Sequence, residues 1–381
     1  MTTLASSDAP DAVPRRMLFL IDQFVDNTAG TEGQLFRLIE VLSARGCQCH
    51  LVVLKRSAFL EQGRLPCSWT VLGHDRLLSP RTWLALYRLG RRFRRQGFGL
   101  AQTFFNDMSV LAPPMLAATG IRTIISRRDM GFWYTPAYLA MLRLTRRFVA
   151  ACAVNSEAVA SVTARCERFP LSELAVIYNG LAPPQPVDRP TDLEALKQRG
   201  RLICGLVANV RPIKRIGDLL EALARIAASE PALDLVIVGG GDQTPLREQA
   251  QGLGISDRVH LLGHRRDITA CLAAFDMAAL CSESEGFSNA IIEYMQAGLP
   301  VIGTEAGGNP EAIDHGRTGY LYPVGDVGAL ATHLAYLARD PQLRDTLGAQ
   351  AAEDARQRFS IERMVNDHVA LYRRLMPGHL W

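Results

Sequence analysis

Ten short apolar runs, separated by stretches with helical spacing, constrain the fold of this 381-residue chain most. `MLFLI` (17–21), `CHLVVL`, `LAQTF`, `RTIIS` and `ACAVNS` lie in the first half; `LICGLVA`, `LDLVIVG`, `RVHLLG`, `DMAALCS` and `PVIG` lie in the second. They are continuous runs rather than strict alternations, the pattern of parallel strands covered on both faces. Between the two sets falls `NGLAPPQPVDRP` (179–190), rich in Pro and Gly, which reads as an interdomain linker. The length also favours two cores over one. The expected architecture is α/β: two doubly wound Rossmann-like domains facing a central cleft, with ligands beyond the carboxyl ends of the strands. The expected boundaries are a loose tail over 1–16, a first domain over 17–180, a second over 181–358, and a C-terminal helix over 359–381 returning towards the first domain.

Composition narrows the class. No apolar run approaches the roughly 20 residues needed to span a bilayer. The first 16 residues are polar and contain proline, so they read as a tail and not a signal peptide. Eight scattered cysteines, none in C-x-x-C spacing and most in apolar segments, read as buried reduced thiols of a cytoplasmic protein. Residues 1–180 hold 22 Lys and Arg against 13 Asp and Glu, a net of +9; residues 181–381 hold 20 against 25, a net of −5. A basic half can attract phosphates, nucleic acid or anionic lipid headgroups.

Four strand-to-helix loops could carry chemistry. In `NTAGTEGQL`, Gly30 and Gly33 open a helix, which suits a backbone approaching a phosphate or a plain turn. In `VANVRPIK`, Arg211 and Lys214 stand just before a helix, where cations are mildly unfavourable; a planar fork and a point charge there suit a diphosphate, or belong to a solvated first turn. In `VIVGGGDQT`, a dinucleotide fingerprint fails: position 244 is Thr, and Asp257 precedes its strand. The fourth, `SESEGFSNAIIEYMQAG`, puts Glu285 in a loop, the amides around Gly286–Asn289 at a helix N-terminus, and Glu293 one to two turns inside.

The fourth loop continues into `LPVIGTEAGGNPEAI`. Glu285-Gly286-Phe287, Glu293 eight residues after Glu285, Ala297-Gly298-Leu299-Pro300-Val301 and Gly307-Gly308-Asn309-Pro310-Glu311 together resemble the signature of glycosyltransferase family 4, the retaining GT-B enzymes (glycosyl transferases group 1). The resemblance extends through `VANVRPIK`, `VIVGGGD`, `LLGHRRDI` and `VIYNGL`, and is looser in the first half. It implies a nucleotide-diphosphate sugar as donor substrate, held mainly by the second domain. Arg211 and Lys214 would neutralise the diphosphate and Glu285 would contact the sugar, which makes these three the catalytic set. Gly30, Gly286, Phe287, Ser288, Asn289 and Glu293 would bind the donor, Glu293 at the ribose. Nothing in the sequence requires a metal, since no DxD motif stands at a strand end, and no cofactor is required. The family often has a histidine before an aspartate in the first domain. Here `IISRRDMGFWY` puts Arg128 in its place before Asp129, so Arg128, Asp129 and Asn106 are acceptor-side candidates. The other reading of Arg128 and Asp129 is an Arg–Asp pair bracing a loop, and `GFWYTP` either walls an acceptor groove or packs that loop. His264 lies in a loop near the base in relatives.

`RTWLALYRLGRRFRRQG` (81–97) is a basic amphipathic segment, and `MLRLTRRFVA` (141–150) has the same flavour. They are helices packed on the sheet with solvated arginines, or docking elements for anionic lipid on the cytoplasmic face of the membrane. No nucleic-acid-reading motif accompanies the charge. The expected function is retaining transfer of a sugar to a glycan or lipid-linked glycan in envelope or exopolysaccharide synthesis. The alternatives are a GT-B sugar-nucleotide epimerase, an inactive sugar-nucleotide-binding subunit and, more remotely, an NAD-dependent oxidoreductase.

Overall fold

The computed structural model describes residues 15–27, 30–63, 65–73 and 79–376. Most of the expected tail, and the end of the expected C-terminal segment (377–381), lie outside the described residues. The chain forms two compact units, residues 1–180 with 361–381 and residues 181–360.

The first unit carries a seven-stranded sheet in the order β3-β2-β1-β4-β5-β6-β7. Its strands are β1 (Arg16–Ile21), β2 (Gln48–Val53), β3 (Ser68–Val71), β4 (Leu100–Phe104), β5 (Arg122–Arg127), β6 (Val149–Val154) and β7 (Leu174–Val176). Every pairing is parallel. The apolar run of β1 is explained by its two faces. Met17, Phe19 and Ile21 enter one core with Leu35, Leu38 and Leu42, while Leu18 and Leu20 enter another with Leu86, Phe93 and Leu111. The Ile361–Leu375 helix belongs to the first core through Met364, Val365 and Tyr372, and the Tyr372 hydroxyl donates to Gln102 of β4.

The second unit carries a six-stranded sheet in the order β10-β9-β8-β11-β12-β13. Its strands are β8 (Leu202–Val207), β9 (Leu233–Val238), β10 (Val259–Gly263), β11 (Met277–Leu280), β12 (Val301–Thr304) and β13 (Gly319–Tyr322). They too pair in parallel throughout. In both sheets the winding reverses beside the first strand, between β1 and β4 and between β8 and β11. Loops leaving such a switch point diverge and leave room for a ligand.

Ten strands coincide with the ten apolar runs. The three others, β3 (`SWTV`), β7 (`LAV`) and β13 (`GYLY`), are all edge strands of three or four residues. An edge strand is covered less completely, so it does not need the apolar run that marks a central one. The 81–97 segment forms the Pro80–Arg95 helix, with Leu86, Gly90 and Phe93 buried and Arg88, Arg91, Arg92, Arg94 and Arg95 exposed. The 141–150 segment is not a second such helix. It comprises the end of the Pro136–Thr145 helix, a 3-10 turn over Arg146–Phe148 and the start of β6. Among the described residues no helix is long and apolar enough to cross a membrane.

Candidate active site

In the second unit the loops leaving β8, β9, β11 and β12 are joined to one another. After β8 the chain makes a 3-10 turn over Pro212–Lys214, and Arg215 then takes a left-handed conformation (φ 45°) before the Ile216–Ile226 helix. Arg215 is held there by Asp218, at 2.8 and 3.1 Å. A non-glycine residue in this region stores backbone strain. Here the strained residue stands directly after Lys214, at the junction of the turn and the helix.

The β8 and β11 loops meet through the Glu283 amide, which donates to the Ile213 carbonyl at 2.8 Å. Beside that bond Lys214 Nζ donates to Glu285 Oε1 at 2.6 Å. Both side chains are partly buried, with 25% and 13% of their surfaces exposed. Glu285 is held from behind by the β12 loop, where the Gly308 amide donates to the Glu285 carbonyl at 3.2 Å. Gly307 (φ 53°) lies so close that a Cβ there would stand 1.7 Å from that carbonyl oxygen. The `GG` of `AGGNPE` therefore serves close backbone approach. Arg211 is exposed and makes no side-chain hydrogen bond or ion pair among the described residues.

The `GGG` run after β9 has the same kind of reason. The Val210 amide donates to the Gly240 carbonyl at 2.7 Å, and the Gly240 amide to Asn209 Oδ1 at 3.1 Å. A Cβ at Gly239 would stand 1.9 Å from the Ala208 carbonyl oxygen. These glycines let the β8 and β9 loops touch, and His264 of the β10 loop lies near Gly240.

Ser288 caps the Asn289–Gln296 helix by accepting from the Ile291 amide. Tyr294 ties this helix to the end of β8, its hydroxyl accepting from the Val207 amide at 2.6 Å. Phe287 is buried against Phe359. Glu293 is half-buried on this helix, between the buried pairs Ile291–Ile292 and Tyr294–Met295. The carboxylate in the apolar segment thus lies on the one stripe of the helix that the core does not take. Gly286 and Asn289 are likewise half-buried at the start of this helix. Arg211, Lys214, Glu285 and the Gly286–Glu293 stretch are all carried by the loops and helix that follow β8 and β11, at the switch point.

In the first unit the corresponding loops follow β1 and β4. Gly30 begins the Gly30–Ala44 helix, and a Cβ added to it would meet nothing within 4 Å. The described fold therefore gives no reason for glycine here. Thr28 and Ala29, in the same loop, lie outside the described residues. Asp22, directly after β1, is a residue that the motifs did not single out. Its carboxylate accepts from the amides of Asn106 and Asp107 at 3.0 Å and of Met108 at 2.8 Å, so it occupies the N-terminus of the Asn106–Ala117 helix. Burial raises Asp22 to about 6, against the lowering by those three amides. A carboxylate spent on three amides is a cap, which explains its place without a reaction. Phe105, just before this helix, takes a φ of 64°.

Arg128 and Asp129, after β5, do not pair with each other. Asp129 accepts from the Gly131 amide at 2.7 Å and from Trp133 Nε1 at 3.0 Å, which folds the `GFWY` turn back on itself. The arginine that braces the turn is Arg127. It is buried, pairs with Glu167 through two hydrogen bonds at 2.5 and 3.0 Å, and lies over the Trp133 ring. Trp133 and Tyr134 pack within the turn, whereas Phe132 at its tip is 83% exposed.

Two parallel sheets, each doubly wound with the candidate loops at its switch point, make this a GT-B protein. Residues 28–183 match Glycosyltransferase Family 4, and residues 189–354 match Glycosyl transferases group 1. The chain belongs to the family 4 type of GT-B glycosyltransferases. It is 35% identical over 166 residues to the N-acetyl-alpha-D-glucosaminyl L-malate synthase of Bacillus anthracis, covering 44% of each chain. It is 31% identical over 185 residues to the phosphatidyl-myo-inositol mannosyltransferase of Mycolicibacterium smegmatis, covering 48% of this chain and 47% of the relative. The chain thus spans about half the length of the curated relatives it matches. Among solved structures, Anabaena Alr3699/HepE in complex with UDP matches 95% of this chain and 100% of its own, with a TM-score of 0.80 and 24% identity.

Proposed function

We propose that the protein transfers a sugar from a nucleotide-diphosphate donor to a glycan or lipid-linked glycan acceptor, with retention of the anomeric configuration. The observation that carries this reading is the Lys214–Glu285 pair beside Arg211, on the loops after β8 and β11. Breaking the anomeric C–O bond leaves the electron pair on the terminal phosphate and positive character on the sugar. Two cations, Arg211 and Lys214, stabilise the first, and a carboxylate beside Lys214 accepts from the sugar's hydroxyls. The acceptor oxygen forms the new bond on the same face, and its proton passes to the departing phosphate.

Each residue then has a task. Arg211 and Lys214 hold the diphosphate, Glu285 the sugar, Glu293 the ribose, and the amides from Gly286 to Asn289 lie where an anion binds. Asn106 and Asp129 stay on the acceptor side. The solved relative bound to UDP supports a uridine nucleotide. The mannosyltransferase relative, which by name acts on phosphatidyl-myo-inositol, supports a lipid-linked acceptor.

The test is calorimetric binding of UDP-, GDP- and ADP-sugars, followed by NMR of the product's anomeric proton. One donor series is expected to bind, and its free nucleoside diphosphate is expected to bind Glu293→Gln at least about tenfold more weakly, since one weakened charge-assisted hydrogen bond is worth about 1.5–3 kcal/mol. Equal binding by wild type and variant would remove the ribose role. An inverted product would remove the retaining mechanism.

A lipid-linked acceptor also requires the first unit to reach a membrane surface. Arg88, Arg91, Arg92, Arg94 and Arg95 are exposed on one helix, and each contributes about 1 kcal/mol near an anionic surface, less as salt rises. The protein is expected to sediment with phosphatidylserine liposomes at low salt and to be released by high salt. Neutralising the five arginines should abolish sedimentation and leave nucleotide binding unchanged. Equal sedimentation of variant and wild type would favour a soluble acceptor.

A further inference from the structure

We infer that Arg128 is an anion-binding, specificity-determining residue, and that a substrate of this protein carries a carboxylate or phosphate group, other than the donor's diphosphate, that Arg128 receives. The inference rests on the transferase reading above and adds the charge of the substrate to it.

Arg127 and Arg128 are adjacent, and the contrast between them carries the argument. Arg127 is satisfied within the protein. Glu167 takes two of its hydrogen bonds, and Ser109 Oγ and the Ser126 carbonyl take two more at 2.9 and 3.1 Å. Burial pulls its pKa down, but the charge and hydrogen bonds of Glu167 more than restore it. Arg128 has no such partner. Its one side-chain hydrogen bond goes to the neutral amide oxygen of Asn179, and no carboxylate lies within ion-pair distance of it among the described residues. Burial, with nothing to oppose it, brings its guanidinium down to about 10.

The surroundings cannot supply the missing charge. Asp129 is spent on Gly131 and Trp133, and Glu167 on Arg127 and Tyr134. His368, buried nearby on the Ile361–Leu375 helix, is lowered to about 4 by burial and by Arg128, against a bond to the Met364 carbonyl. Asn155, whose amide donates to the Arg128 carbonyl at 3.2 Å, is neutral. A guanidinium has five donors in a planar fork that fits carboxylate and phosphate. Keeping such a group half-buried without a counter-ion is unfavourable, and a bound anion would offset that cost. The location agrees: Arg128 directly follows β5, at the end of the sheet where open α/β folds bind ligands. The exposed Phe132 stands on the same connection and offers a sugar an apolar face.

The experiment compares wild type, Arg128→Gln and Arg128→Lys by calorimetry with matched probes. The donor arm pairs UDP-glucuronate with UDP-glucose. The acceptor arm, with UDP present, pairs methyl glucuronide and glucose 6-phosphate with methyl glucoside. In wild type at least one anionic probe is expected to bind tenfold or more tightly than its neutral counterpart. Arg128→Gln should abolish that difference, Arg128→Lys should keep part of it, and UDP affinity should stay within twofold in both. The melting temperature of Arg128→Gln should be unchanged or raised, because an uncompensated charge has been removed; a clear fall would mark a structural arginine and overturn the inference. So would equal binding of charged and neutral probes, a difference that survives in Arg128→Gln, or a loss of UDP affinity that assigns the residue to the diphosphate. Failure of every nucleoside diphosphate to bind wild type would instead overturn the transferase reading, and this inference with it.

Discussion

Replacing Arg211 or Lys214 by alanine is expected to lower turnover by about 100-fold or more, the scale on which preorganised stabilisers of developing charge act. The two residues should differ in character. Arg211 has no side-chain partner among the described residues, so its loss removes only what it gives the ligand. Lys214 is bound to Glu285 at 2.6 Å, so its loss also leaves a carboxylate with 13% exposure unpaired at the place where a diphosphate is proposed to bind. Lys214→Ala should therefore weaken nucleoside diphosphate binding more than Arg211→Ala does. Lys214→Ala with Glu285→Ala should be far from additive, with the double variant little worse than the worse single one. Strict additivity would mean that the pair is not a unit. Turnover near wild type in Arg211→Ala/Lys214→Ala would refute the site.

The largest effect on stability is expected away from those loops. Glu167→Ala should destabilise the protein by about 3–5 kcal/mol, because it leaves the Arg127 guanidinium buried without its partner. The side chains of the pair are 3% and 1% exposed. The fall in melting temperature should be on the order of 10 °C for a unit of this size. A carboxylate at the last residue of the Glu157–Glu167 helix is also unfavourable towards the helix dipole, so Arg127 is what explains its presence. Removing both charges, as Arg127→Met/Glu167→Leu, should recover most of the loss, since it is breaking the pair that costs and not its absence. Tyr134 also donates to Glu167, so Glu167→Ala should loosen the turn after β5 and raise proteolytic cutting near Phe132. A melting temperature within about 2 °C of wild type would show that the pair contributes nothing that water cannot replace.

Much of this protein was settled by local pattern. Nine of the ten apolar runs mark the nine interior strands of the two sheets, because a strand covered on both faces has no polar positions to spare; the tenth marks β10, an edge strand that carries an apolar run although it is only partly buried. The linker read at 179–190 rests on Pro and Gly, which interrupt both helix and sheet. The spacing of Glu285 and Glu293 is legible because a loop and a helix of fixed pitch place them, and their signature is long enough to mark the family.

What the sequence left open depends on which loops become neighbours. The strands β3, β7 and β13 were missed because edges tolerate weak patterns. The `GGG` after β9 invited a nucleotide reading, yet it is needed so that the β8 and β9 loops can touch; these residues are about 30 positions apart and adjacent only in the sheet. Nothing local shows that Lys214 and Glu285, separated by 71 positions, share a proton-bearing contact. That depends on β8 and β11 lying side by side, which the reversal of winding decides. The roles within `SRRD` depend on tertiary structure for the same reason. Two adjacent arginines in a strand and the turn after it look alike in sequence, but alternate residues face opposite ways. One therefore meets Glu167, carried 40 positions further along the chain, and the other meets no carboxylate among the described residues. Local sequence sets the order of strands, helices and charged groups along the chain. Which charges are neutralised within the protein follows from folding in three dimensions, because Coulomb interactions depend on distance in space and on burial, and neither is fixed by separation along the chain.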